Sequence, residues 1–191
     1  IMASIKLQGD TSGELTISVP AVAGTNTITL PASTGTVLTD TAPKIGNILQ
    51  VVSGITTTST SQTSTTWTDT TLTANITPTS TSNKILILVN QSVRIQRSTY
   101  YTGGSIKILR GSTFLYYAAE NDVPYYPSFE TPQGTGGINF YNYFNLNYLD
   151  SPSSTSALTY KTQQRSSVSA DLINTQQGGA ASTIILMEIA G

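Results

Sequence analysis

Glu120, Asp122 and Glu130 lie close together in the segment ENDVPYYPSFETPQGTGG, residues 120–137. Two carboxylates on either side of a sugar linkage can cleave it, one as acid and the other as base or nucleophile. Calcium is a second use for such oxygens, but the segment lacks the regular ligand spacing of a calcium loop. The plainer reading is that three acids on a loop are solvated turn residues. Other chemistry is scarce. The sequence has no His and no Cys. The commonest general base, the thiol nucleophile and the usual zinc ligands are therefore all missing. The chain reads as non-enzymatic, with no cofactor and no metal. Polysaccharide cleavage by the three acids is the enzymatic alternative.

The same segment offers a better use as a surface. It carries three prolines and three glycines, and a long irregular loop of this kind often serves function. Tyr125, Tyr126 and Phe129 sit between the prolines. Rigid aromatics give a large contact area with few rotors to freeze. Glu120, Asp122, Tyr125, Tyr126 and Phe129 are thus the candidate surface-binding loop, suited to a sugar or a protein. The competing reading folds these aromatics back onto the domain or against a neighbouring subunit.

The composition narrows the partners. Only 10% of the 191 residues are charged, and the net charge is −1. Typical globular chains carry about 25% charged residues. No basic run exists to neutralise phosphates, so nucleic acid is not the expected partner. Hydroxyls stand in for charges: 33 Thr and 23 Ser make up 56 of the residues. Thr is β-branched and Ser competes for backbone hydrogen bonds, so both favour strands over helices. The start, IMASIKLQGD, has no apolar core of a signal peptide. The longest aliphatic run, ILILV at 85–89, is too short to span a bilayer. Asn75 and Asn90 match the glycosylation pattern by chance in so Ser/Thr-rich a chain. The two cations of RIQR, Arg94 and Arg97, read as solvated or ion-paired between subunits.

The elements that must position these residues are all strands. In the first part of the chain Ile5/Leu7, Ile17/Val19 and Ile28/Leu30 form apolar pairs at i and i+2. TISVPA is echoed by TITLPA, and each copy closes on Gly-Thr. Such brief strands need a partner surface, and their prolines suit no central ladder. Residues 1–44 are therefore expected to form an extended arm that buries these pairs by association with other copies. Its working residues are Ile5, Leu7, Ile17, Val19, Ile28 and Leu30. From 45 to 191 roughly eight strands recur at the spacing of a sandwich or jelly roll. NILQVVSGI is the first, KILILVNQSVRI a central buried one, and IKILRGSTFLYY a hairpin turning near Gly111. INFYNYFNLNYL alternates, with Phe144 and Leu146 on a core face and Tyr141 and Tyr143 on a wet or interfacial one. LTYKTQQRSS is expected to pair back on it across the DSPSSTSA turn, and STIILMEIAG to close the domain as a buried strand.

Together these phrases resemble a known kind of protein. SGELTISVPAVAGTNTITLPASTGTVLTD is similar to an N-terminal segment of tailed-bacteriophage fibre and structural proteins, especially marine ones. WTDTTLTANITPTSTSNKILILVNQ, IKILRGSTFL, YLDSPSSTSALTYKTQ and IILMEIAG resemble a C-terminal head in such virion proteins. The resemblance implies an all-β chain: an extended N-terminal β arm followed by a β-sandwich head of the jelly-roll, tumour-necrosis-factor-like kind. It implies a homotrimer on the virion surface, bound through its arm to capsid or tail proteins, with no membrane insertion. Its implied work is that of a head fibre or capsid decoration. The alternative is a tail-fibre adhesin that recognises a host-surface glycan or protein.

Overall fold

In a computed structural model the described residues are 4–8, 12–18, 44–97, 103–117, 138–167 and 169–191. The chain divides into two units, Ile1–Val37 and Leu38–Gly191. In the first unit, β1 (Ser4–Gln8) and β2 (Glu14–Ser18) pair antiparallel as a two-stranded sheet. Their register sets Ile5 against Ile17 and Leu7 against Leu15. These short strands thus find a partner within their own chain. Gly13 takes a φ of 87° just before β2, a value that suits glycine.

The second unit is built from ten strands among the described residues. They are β3 (Ile48–Thr56), β4 (Thr60–Gln62), β5 (Thr68–Ile76), β6 (Lys84–Arg97) and β7 (Gly104–Arg110). After them come β8 (Thr113–Tyr117), β9 (Ile138–Asp150), β10 (Leu158–Ser166), β11 (Leu172–Thr175) and β12 (Ser182–Ile189). No α-helix occurs among the described residues; Gln177–Gly179 forms a single 3-10 turn.

The pairing follows one rule. β7 pairs with β8, β6 with β9, β5 with β10 and β3 with β12, all antiparallel. This is one long ribbon folded at the β7–β8 hairpin and then rolled. Rolling sends alternate pairs to opposite layers. One sheet runs β5-β10-β7-β8; the other joins β3, β12, β6 and β9, with β11 and β4 extending it. The result is a two-layer antiparallel jelly roll. The hairpin tip is the two-residue turn Gly111-Ser112, where Gly111 has the positive φ, 58°, that such turns require.

The core lies between the sheets. Ile85, Ile87, Val89, Val93 and Ile95 of β6 face Leu72, Ile106, Ile108 and Tyr160 of the other layer, all buried. The central position expected for β6 is correct, with β12 and β9 on its two sides. The alternation of β9 is also as expected: Phe144 and Leu146 are buried, while Tyr141 and Tyr143 are 63% and 47% exposed.

One expectation is overturned. β10 does not pair back on β9; it pairs with β5 and β7 in the opposite sheet. The DSPSSTSA segment is a crossover between layers. A sandwich requires this, because Tyr160, Thr162, Gln164 and Ser166 all point into the core and need a second layer to close over them.

Candidate functional site

The sequence-expected sites meet the structure unevenly. Ile5, Leu7 and Ile17 lie on β1 and β2, while Val19, Ile28 and Leu30 fall outside the described residues. Glu120, Asp122, Tyr125, Tyr126 and Phe129 also fall outside them. Among the described residues no group of three or more His, Cys, Asp or Glu is placed to hold a metal. No helix among them is long and apolar enough to cross a membrane.

Three carboxylates that looked unremarkable in the sequence, Asp150, Asp171 and Glu188, are deeply buried. Glu188 on β12 is fully covered. Its Oε1 accepts from the Thr79 backbone amide at 2.6 Å, the Thr79 hydroxyl at 2.8 Å and Asn83 Nδ2 at 2.6 Å. Its Oε2 accepts from Gln50 Nε2. Burial alone would raise its pKa, but the bonds from Asn83, Gln50 and Thr79 outweigh that and hold it below the usual glutamate value. Asp150 accepts from the Arg110 guanidinium at 2.6 Å and the Tyr160 hydroxyl at 2.7 Å. Burial first, and then the neighbouring Asp150, raise the Tyr160 pKa. Every one of these partners comes from the chain itself, so Glu188 and Asp150 act as structural clamps.

The outer faces of the two sheets differ in kind. On the β3–β12–β6–β9 sheet, cross-strand pairing lines up Val51, Met187, Leu86 and Leu149 in one row. Ile185 and Leu88 sit paired in the next row. Val51 is 58% exposed, Leu149 47%, and Ile55 at the edge 71%. An unbroken apolar row on an outer face is unusual for a surface left in water. No carboxylate shares this face among the described residues, since Asp150 and Glu188 both point inward. Arg94 does share it, bonded to Asn139 Oδ1 at 2.9 Å and Gln96 Oε1 at 2.8 Å.

The outer face of the β5–β10–β7–β8 sheet is charged and aromatic. Asp69, Gln163, Lys107 and Tyr117 form one cross-strand row over all four strands. Lys161, Leu109 and Phe114 form the next. Lys161 Nζ and Gln163 Nε2 each donate to Asp69 at 2.7 Å, and the Lys161 bond leads in lowering the Asp69 pKa. Trp67, just before β5, anchors the end. The Lys107 ammonium lies 4.4 Å and the Arg165 guanidinium 4.7 Å from its ring centroid. Each such contact is worth about 0.5–1 kcal/mol where water reaches it. Desolvation, and then the nearby Arg165, lower the Lys107 pKa. Two like charges are thus held against one ring. Phe114, 48% exposed, meets Tyr117 with ring centroids 5.0 Å apart.

Sequence reasoning missed this face. Trp67 lies on the outer side with Lys107 and Arg165, whereas Leu72 and Ile76 of the strand it leads into point inward. Odd parity against Leu72 is the signal that was available. Nothing local foretells its meeting with Lys107 and Arg165.

No family model matches the sequence. No curated protein matches it. Among solved structures, the chain is similar to the infectious bursal disease virus VP2 subviral particle, at 17% identity and a TM-score of 0.34, over 74% of this chain and 37% of that one. T=1 particles derived from a mutant VP2 of the same virus align at 14% identity and a TM-score of 0.35, over 96% of this chain and 44% of that one. The Gt strain of that virus gives 14% identity and 0.35, over 97% and 46%. The chain therefore spans less than half the length of each, and these structural neighbours are viral capsid proteins.

Proposed function

We propose that this chain is a non-enzymatic structural protein of a phage virion: a homotrimeric head fibre or capsid-decoration protein on the particle surface, attached through its N-terminal arm. The observation that carries the self-association is the apolar row Val51–Met187–Leu86–Leu149 on the outer face of a completed sandwich. With no carboxylate on it among the described residues, this face can meet its own copy without burying unpaired acids. Closed rotational symmetry would then cover it in every subunit. The number three, and the phage setting, come from the resemblance of the sequence to phage fibre and decoration proteins.

Light scattering tests the assembly. The intact protein should have about three times the 20.2 kDa chain mass at micromolar concentration. A clean monomer would overturn the reading. Attachment is tested by removing residues 1–40: the truncated chain should melt cooperatively but fail to bind emptied particles. Normal decoration by the truncated chain would rule out the arm as anchor.

A second reading, a tail-fibre adhesin, is favoured by the aromatic and cationic face around Trp67 on the opposite sheet. An adhesin should bind host cells specifically, and the virion should carry few copies of it.

A further inference from the structure

The chain has nine Lys and Arg in total. Three of them, Lys107, Lys161 and Arg165, project from the outer face of the β5–β10–β7–β8 sheet. Among the described residues they share that face with one carboxylate, Asp69, which is already engaged by Lys161 and Gln163. A protein of net charge −1 has thus gathered cations on one sheet. It holds Lys107 and Arg165 against the same indole, although Arg165 disfavours the charge of Lys107.

The rest of the face has the features of a sugar platform. The row Asp69–Gln163–Lys107–Tyr117 presents carboxylate, amide and ammonium groups at successive strand spacings. These are donors and acceptors for ring hydroxyls. Phe114 and Tyr117 supply aromatic surface beside them, of the kind that takes the apolar face of a sugar ring. Pairing across four strands fixes the backbone that carries these groups. We infer that the Trp67–Lys107–Arg165–Lys161 face binds an acidic polysaccharide, a sugar chain bearing carboxylate or sulfate groups. This deepens the adhesin reading and rests on it only in taking the ligand to be a surface glycan.

The test uses the full chain and the emission of Trp67, the only tryptophan of the sequence. Three probes are titrated: alginate (carboxylated), dextran sulfate (sulfated) and neutral dextran. Alginate or dextran sulfate should change the emission saturably, and whichever does so names the acidic group. Neutral dextran should leave it flat. Raising the salt to about 0.5 M should weaken the binding by about tenfold. The double variant Lys107→Gln/Lys161→Gln should lose about tenfold or more in affinity while melting as a folded protein. Arg94→Gln, on the other sheet, should bind as the parent does.

Binding that survives the double substitution overturns the site. Duplex DNA bound as tightly as the acidic glycans overturns the ligand class. If host cells bind the double variant undiminished, the site fails while the adhesin reading stands. If neither cells nor any glycan bind, both fail.

Discussion

The Tyr160 hydroxyl donates to Asp150 Oδ2 at 2.7 Å, and this bond joins the two sheets of the jelly roll. Asp150 ends β9 in one layer and Tyr160 lies in β10 of the other. Arg110, at the end of β7, adds a second donor to the same oxygen at 2.6 Å. The chain crosses between layers directly at this clamp. A buried phenol and carboxylate would each be costly alone; together they satisfy each other.

Tyr160→Phe should destabilise the unit by about 1–2 kcal/mol, because Asp150 keeps its bond to Arg110. Asp150→Ala should cost more, about 2–3 kcal/mol, since it strands both the Tyr160 hydroxyl and the Arg110 charge. Urea unfolding of both variants checks the order. Equal costs would mean that the clamp does not work as a unit.

Acid should weaken the protein through Glu188. Its folded pKa lies below the ordinary value of 4.5, so its contribution is fully present above about pH 4.5 and is lost as pH falls through the lower folded value. Asp69 acts with the same sign. Glu188→Gln should remove that portion of the acid sensitivity. The variant should also be less stable at neutral pH by about 2–3 kcal/mol, because either way the new amide turns, its nitrogen meets donors: the Thr79 amide and Asn83 Nδ2 on one side, Gln50 Nε2 on the other. Melting curves from pH 3 to 7, parent against variant, decide this.

Gly54 should resist enlargement. A Cβ there would sit 2.0 Å from the Thr73 carbonyl oxygen of β5. That atom is backbone and cannot swing aside, so β3 and β5 would have to separate. Gly54→Ala should cost about 1–3 kcal/mol. A fall in melting temperature of about 2–4 °C per kcal/mol is the expected scale. An unchanged melt would show that the two strands yield there.

The apolar outer face is separable from folding. Val51→Asp with Ile55→Asp changes two residues that are 58% and 71% exposed. The doubly substituted chain should keep its cooperative melt and lose self-association by light scattering. Retained assembly would move the subunit contact elsewhere.

The sequence by itself was enough for the class of fold and for the parity of its strands. Alternation in β9 told core from surface, because side chains in a strand point to opposite faces with a period of two. The unbroken apolar run of β6 told a central strand: β12 and β9 flank it, with Ile85, Ile87 and Val89 in the core and Leu86 and Leu88 on the outer apolar face. Gly111 announced a turn, because two-residue hairpins need a positive φ. Which strand pairs with which was decided by the tertiary structure alone. Lys107 and Arg165 reach Trp67, and Asp150 reaches Tyr160 in the other layer, only because the ribbon rolls and sends alternate pairs to opposite sheets. Long-range pairing depends on how much apolar area the whole roll buries, and no local window of residues carries that quantity.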